Sequence, residues 1–447
     1  MRQTALAFVI LFSIVFNLEA RNHFSGTTHH PESEEGRMDA SILDRIDSVV
    51  NNGIHERAFP GCQVYILKNG IPVYDKCFGT YTYETTQKVN PNTMYDLASL
   101  TKTTGTLLAI MKLYDEGKLK LTDKASDYLD FLRGTDKENI TITELLFHES
   151  GLPGTLPFHR LVIEKKDNSS ALSSDPMHII QLHSKRYKYN ENLVSKIPSD
   201  EYPIQVCDSF YLHKRIHKAA MEMIAHTHLG MKTYLYSCVN FILLKEIVEK
   251  ISCMPLDVFL NLYYYNPMKL NHIAFLPLRS HKLDDIAPTL KKDYLRNGRI
   301  QGYVHDPAAA FLGGISGNAG LFASAKDVAT VYQMLLNKGE LDGKRYLSQE
   351  TCNLFTVTTS ASGRRGLGFD KPDPAHPKWN SCCVSAPQAV YGHTGYTGTC
   401  CWVDPVNNLV YVFLSNRTYP NDAVNKLARM SIRPKIQELM YQSMLGK

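Results

Sequence analysis

Apolar residues in this chain recur mostly at helical spacing. MDASILDRIDSVVNN places Ile42, Ile46 and Val49 on one face. A helical pattern runs from residue 103 to about Gly117, a residue suited to stopping a helix. TITELLFHESG, HKRIHKAAMEMIAH, NFILLKEIVEKIS and SAKDVATVYQMLLNKG read the same way. Strand signals cluster at the two ends. GCQVYILKNGIPVYDKC predicts a hairpin over 62–80 turning at Asn69-Gly70. TCCWVD and LVYVFLSN predict two strands joined by Pro405-Val406-Asn407-Asn408. A last helix is expected over about 421–443, interrupted near Pro434.

The pattern implies an α/β (α+β) fold, with a sheet closed by both chain ends and helices between. The expected division is an α/β lobe over about 38–117 and 325–447, and an inserted helical lobe over about 118–324. Residues 155–207, rich in Ser, Lys, Tyr and Asp, read as an irregular insertion of unassigned role. Residues 313–320, GGISGNAG, form a Gly-rich turn before a helix. At 447 residues and 44% apolar content, a large packed core is expected. The net charge of +5 comes with no long basic block, which argues against a nucleic-acid partner. Met1-Arg2, the apolar run ALAFVILFSIVF and Ala20 fit a secretory signal peptide over 1–20, followed by a loose polar segment over 21–37. That run falls short of the roughly 20 residues of a membrane span. A secreted or periplasmic monomer without a transmembrane segment in the mature chain is therefore expected.

Export makes disulfides possible for the ten cysteines. With a two-residue turn at Asn69-Gly70, Cys62 is expected opposite Cys77. The pair is a candidate bridge, although small buried cysteines on a core face are the simpler reading. Neither Cys382-Cys383 nor Cys400-Cys401 has the spacing of a zinc site. His213 and His217 stand four apart with no acid between them, so no metal is assigned. No glycine-rich phosphate loop occurs, and no cofactor is expected. GISGN, around Ser316, lacks the last glycine of a G-x-S-x-G elbow. His305-Asp306 is read as part of an Asp-Pro turn.

The stretch LASLTKTTG puts Ser99 three residues before Lys102, at the start of an apolar helix. There a hydroxyl lies near free N–H groups and the positive dipole end, and the lysine falls one turn on along the same face. A buried lysine can lose its proton and then take one from the hydroxyl. The pair alone also fits a capping serine and a solvated lysine. Two further stretches stand in order behind it: YLYSCVNF at 234–241, before another apolar helix, and YGHTGYTG at 391–398, before a strand.

Together these motifs resemble the set of the serine β-lactamase and penicillin-binding-protein superfamily, closest to its class C β-lactamase and DD-peptidase branch. The resemblance spans about residues 40–440 and includes GGISGNAGLF and the SNR ending the last strand. PTLKKDYLRNG, GYVHDPAAA and RRGLGFDKP look like a secreted bacterial subgroup of serine hydrolases, in which a similar domain also occurs fused to N-acetylglucosaminidases. The resemblance implies a β-lactamase/transpeptidase-like fold, an antiparallel sheet flanked by helices with an inserted all-helical lobe. It implies Ser99 as acylated nucleophile, Lys102 as its base or proton keeper, and Tyr236 as second acid/base. It places His393 where many relatives have lysine, and Thr394 and Gly395 along the strand edge that seats substrate. It makes the N–H groups of Ser99 and Tyr396 the oxyanion hole.

Two departures stand out. Cys238 occupies the third position of the second motif, where many relatives have asparagine, and a thiol cannot copy an amide. His393 carries a full charge only below roughly pH 6.5 unless perturbed, so it makes a weaker carboxylate anchor than lysine. Asn240 is expected to be structural. The implied activity is hydrolysis through an acyl-enzyme, on a cell-wall peptide in the manner of a DD-carboxypeptidase or D-aminopeptidase. A small-ester esterase, a β-lactamase or a weakly catalytic binder of cell-wall fragments is the alternative.

Overall fold

The computed structural model describes residues 38–163, 188–361, 363–373, 375 and 380–444. The expected signal peptide, the loose segment over 21–37 and the centre of the 155–207 insertion lie outside these residues.

Five antiparallel strands form the main sheet: β1 (Gly61–Lys68), β2 (Ile71–Gly79), β3 (Tyr391–Gly395), β4 (Thr399–Asp404) and β5 (Leu409–Ser415). Their order is β3-β4-β5-β1-β2, so the two chain ends meet where β1 pairs with β5, with Cys62 opposite Ser415. Both faces are covered. Cys62, Val64, Ile66, Trp402, Tyr411 and Phe413 face one core together with Ile46, Val50 and Ile436. These last three come from the helices α1 (Arg45–His55) and α5 (Ile432–Gln442). Tyr65, Leu67, Cys401, Val403, Val410 and Val412 face the other core, against α4 (Ala325–Leu336). Every residue of β4 and β5 is buried. A strand buried on both sides reads as an apolar run without alternation, which is how TCCWVD and LVYVFLSN read.

The hairpin turns at Asn69-Gly70, both with positive φ (+53° and +77°), as a two-residue turn requires. Its register differs from the expected one. Lys68 faces Ile71 and Leu67 faces Pro72, but Ile66 faces Tyr74, so Val73 is an extra residue on β2. Beyond this bulge Cys62 faces Phe78 and Gln63 faces Cys77. The candidate bridge is thus corrected: the two thiols point to opposite cores, and both are free. The final helical region breaks at Met430–Ser431, with Ser431 in the left-handed region. Pro434 lies within the first turn of α5, where its missing N–H costs nothing.

Between the sheet halves lie α2 (Leu107–Asp115), a helix over Arg215–His226, α3 (Cys238–Ser252) and shorter turns. To these helices the structure adds two small three-stranded sheets. One joins Val194–Ser195, Phe210–Leu212 and Ile204–Cys207. The other joins Tyr95–Asp96, Leu321–Ala323 and Ile273–Phe275, and it leads straight into Ser99.

Candidate active site

The turn carrying Ser99 is held from three sides. Asp96 Oδ1 accepts from Ala98 N–H at 2.8 Å, and Ala98 adopts a positive φ of +48°. A non-glycine residue there is strained and persists only where its surroundings over-determine it. Thr397 Oγ1 donates to the Asp96 carbonyl at 2.6 Å and Thr399 Oγ1 to the Leu97 carbonyl at 2.9 Å, stapling the turn to the β3–β4 end. A Cβ on Gly395 would lie 2.0 Å from Thr399 Oγ1 and 2.3 Å from the Leu97 carbonyl, so only glycine lets the strand approach so closely. Residues Ala98–Leu100 form a tight 3₁₀ turn, Lys102–Thr106 a wider π-type turn, and α2 follows. The first motif thus stands on one irregular helix start, as the spacing implies.

Lys102 is fully buried. Its Nζ lies 3.0 Å from Ser99 Oγ, 3.0 Å from the Asn318 carbonyl and 3.5 Å from Cys238 Sγ. It also sits 5.1 Å from the centre of the Tyr236 ring. Among the described residues no carboxylate comes within ion-pair distance of it. Burial draws its pKa down, while the anionic forms of Cys238 and Tyr236, with Asp306 beyond them, raise it, and the net direction is upward. Burial pushes both Cys238 and Tyr236 up in turn, so at neutral pH both are uncharged. There the ammonium is held against burial mainly by neutral dipoles and the more distant Asp306.

Tyr236 precedes α3. Its hydroxyl is buried without a hydrogen bond of good geometry, yet Lys102 and Ser99 lie near enough to favour its ionised form against burial. His148 covers the Tyr236 ring at 4.6 Å between centroids and accepts from Ser237 N–H at Nδ1 (3.1 Å). Burial, Arg365 and Lys102 hold His148 well below the ordinary imidazole range. Asn240 is structural, as expected: its amide donates to the Leu145 carbonyl at 3.0 Å and accepts from Ser150 Oγ at 2.7 Å.

The third motif carries less positive charge than an ordinary histidine would. His393 is buried, and burial, Arg365 and Lys102 hold its pKa well below the usual value. It is neutral at any physiological pH and supplies no positive anchor. The fixed charge beside it is Arg365, also buried, whose Nη1 meets Asp370 Oδ1 at 3.0 Å. Arg365 Nη2 lies 3.3 Å from His393 Nε2, and its guanidinium carbon lies 5.7 Å from the centre of the Tyr236 ring. Thr394 is half-buried, Gly395 buried and Tyr396 exposed at the strand end. The Tyr396 carbonyl accepts from Arg417 Nε at 2.7 Å, which fixes the peptide that follows β3.

Ser99, Lys102, Tyr236, Cys238 and His393 are therefore brought into one cluster, with Thr394, Gly395 and Tyr396 along its edge. Sequence reading assigned no role to His148, Asn318 or Arg365. Two of these stand in stretches that had been singled out, GGISGNAGLF and RRGLGFDKP, but nothing in the spacing marks a carbonyl or a guanidinium as a site group. Asp306 caps the helix over Pro307–Phe311 and accepts from Asn318 Nδ2 at 3.1 Å, so the Asp-Pro turn supports the loop whose carbonyl holds Lys102. Elsewhere, His217 meets Glu246 at 3.0 Å on the side of α3.

The family model for Beta-lactamase matches residues 46–431. An N-acetylmuramyl-L-alanine amidase of Bacillus subtilis (strain 168) is 29% identical over 87% of this chain and 83% of its own length. A putative D-alanyl-D-alanine carboxypeptidase of Escherichia coli (strain K12) is 29% identical over 94% of this chain and 92% of its own. The solved structure of EstCE1, a hydrolase with promiscuous acyltransferase activity, shares the fold at a TM-score of 0.63 and 19% identity, covering 90% of this chain and 99% of that one. The chain belongs to the Beta-lactamase family and is a serine hydrolase. Among the described residues no helix is long and apolar enough to cross a membrane.

Proposed function

We propose that this chain is an exported hydrolase that acts through an acyl-enzyme at Ser99 on a cell-wall peptide or a related D-amino-acid amide. The observation that carries the reading is the 3.0 Å contact between Ser99 Oγ and a fully buried Lys102, with Tyr236 packed against both. The names of the amidase and carboxypeptidase relatives support the substrate class. The N-terminal sequence supports export.

In this mechanism Ser99 Oγ attacks the carbonyl carbon while its proton enters the Lys102–Tyr236 pair by relay, the Tyr236 hydroxyl passing its own proton on toward the amide nitrogen, because an ammonium and a neutral phenol have no free site for an added proton. The oxyanion gathers between the N–H groups of Ser99 and Tyr396, a device whose loss typically costs about 10²–10³ in rate. As the C–N bond breaks, the same pair returns the proton to the leaving amine, by way of the Tyr236 hydroxyl. Water then attacks the ester and gives a proton to the pair, which passes one on to Ser99 Oγ as the acyl C–O bond breaks, releasing the acid and free Ser99.

The test is the intact mass of the mature protein after incubation with a penicillin, beside Ser99→Ala. An adduct on the wild type alone, or penicillin consumed by the wild type alone, supports acylation at Ser99. Intact penicillin and no adduct moves the assignment to hydrolysis of small esters, read with a chromogenic ester. Cys238 and the neutral His393 favour a second reading, a binder of cell-wall fragments with weak turnover. Equal inertness of wild type and Ser99→Ala, with muropeptide binding retained by both, would establish it.

A further inference from the structure

His393 Nδ1 lies 2.7 Å from the Thr394 carbonyl oxygen, and a carbonyl can only accept. The hydrogen of the neutral ring is therefore on Nδ1. The other nitrogen, Nε2, faces Arg365 Nη2 at 3.3 Å, and a guanidinium can only donate. Nε2 must offer its lone pair there. Arg365 cannot turn away freely, because Nη1 is held by Asp370 at 3.0 Å and both side chains are buried. Asp370 is fixed in turn, exchanging backbone hydrogen bonds with Gly392, the residue before His393 (2.8 and 3.1 Å).

We infer that Arg365 is a positioning residue of this site, which fixes His393 as the Nδ1–H tautomer with a bare Nε2 and itself remains the permanent positive charge behind the third motif.

The surroundings of the ring agree from every side. Lys102 approaches from the Ser99 helix and opposes a second positive charge. The Tyr236 ring lies 5.9 Å away and is uncharged at neutral pH, with the neutral His148 stacked behind it. Cys401, opposite His393 on β4, is a buried neutral thiol. Asp370 is the anion of the group, and Arg365 stands between it and the ring. A second proton on His393 would have to enter at Nε2, facing a guanidinium donor in a buried setting. An anionic group brought to this strand edge would therefore meet a charge that pH does not switch. The assignment concerns the ring proton and stands apart from the substrate proposed above.

Nitrogen-15-labelled histidine in the full-length protein tests it directly. His393 signals are identified by their loss in His393→Gln. Long-range proton–nitrogen spectra should show a protonated Nδ1 and a bare Nε2, unchanged between about pH 5 and 8, the window in which free imidazole titrates. Arg365→Gln retains an N–H donor but removes the charge, and His393 should then titrate within or closer to that window. Arg365→Lys keeps the charge and should keep the ring neutral. The inference is overturned if wild-type His393 carries its hydrogen on Nε2 or titrates near pH 6.5. It is also overturned if Arg365→Gln leaves the ring's titration unchanged. Should Arg365→Gln fail to fold, the wild-type spectra still decide the tautomer.

Discussion

Two buried cations flank one phenol ring, and they are built for different work. Lys102 stands 5.1 Å from the Tyr236 centroid and Arg365 stands 5.7 Å from it. Arg365 has a carboxylate partner, Asp370 at 3.0 Å. Lys102 has instead a serine hydroxyl, a thiol and a main-chain carbonyl. A guanidinium keeps its proton under all ordinary conditions, whereas a buried amine can give one up. Beside Tyr236, Lys102 thus holds a movable proton and Arg365 a fixed charge. The difference lies in the two groups themselves, and the partners reinforce it: Arg365 is paired with an anion, Lys102 with neutral dipoles.

Truncating each cation should break this comparison in opposite ways. Lys102→Met should lower turnover of any accepted substrate by about 10²–10⁴, the usual contribution of a proton-transfer group. It should cost less stability than the loss of Arg365, because no carboxylate is left stranded when Lys102 is removed. Arg365→Met strands Asp370 and should cost about 3–5 kcal/mol of stability, as breaking a buried pair does. Ester kinetics and denaturant unfolding on the same two variants check both effects. A Lys102→Met protein that unfolds as easily as Arg365→Met would show that Lys102 is structural.

Tyr236→Phe sharpens the comparison by keeping the ring between the cations and removing its oxygen. The hydroxyl makes no hydrogen bond of good geometry, so its loss should change stability little. Acylation should slow by about 10²-fold if the oxygen carries the proton between Ser99 and the leaving group. Single-turnover acylation monitored by mass separates this from a loss of binding. An unchanged acylation rate would leave Lys102 as sole proton carrier.

What could be read from the sequence divides along the same line. Ser99 and Lys102 are three residues apart on one helix start, so their meeting is a matter of local geometry. Tyr236 and His393 were legible through their order and their neighbours. Arg365 was not, because it reaches the site from a loop whose path depends on the Asp370–Gly392 pairing, a contact no spacing announces. The two-sided core hid the alternation of β4 and β5 but left their apolar runs visible. The single bulge at Val73 sufficed to move Cys62 and Cys77 apart, since one extra residue sends every later side chain to the other face. The weakness of His393 as an anchor was legible from its residue type, but its burial between a main-chain carbonyl and a guanidinium was not.

The smallest expected effect concerns Asp96, which holds the turn before Ser99 and bonds to neither cation. Its two carboxylate oxygens accept from Ala98 N–H at 2.8 Å and from His305 N–H at 2.6 Å. Burial pushes its pKa up to about 6, against these two hydrogen bonds. A proton on Asp96 must displace one of the two N–H groups, and one of them shapes the strained residue before Ser99. Activity should therefore fall, by about tenfold, as pH drops from 7 to 5. Burial holds His148 and His393 well below the ordinary imidazole value, lowers His305 as well, and pushes Tyr236 and Cys238 up, so the limb is assigned to Asp96 by its loss in Asp96→Asn. Stability should move the other way. The folded state holds this proton more tightly than the unfolded state, so the contribution of Asp96 rises as pH falls through about 6 and levels off below about 4. Asp96→Asn copies the protonated form. At pH 7 it should show the activity of the wild type at pH 5, and the acid limb should vanish from its profile. Wild-type activity that stays flat to pH 5, or an Asn variant with the same limb, would mean that the turn before Ser99 does not depend on the charge of Asp96.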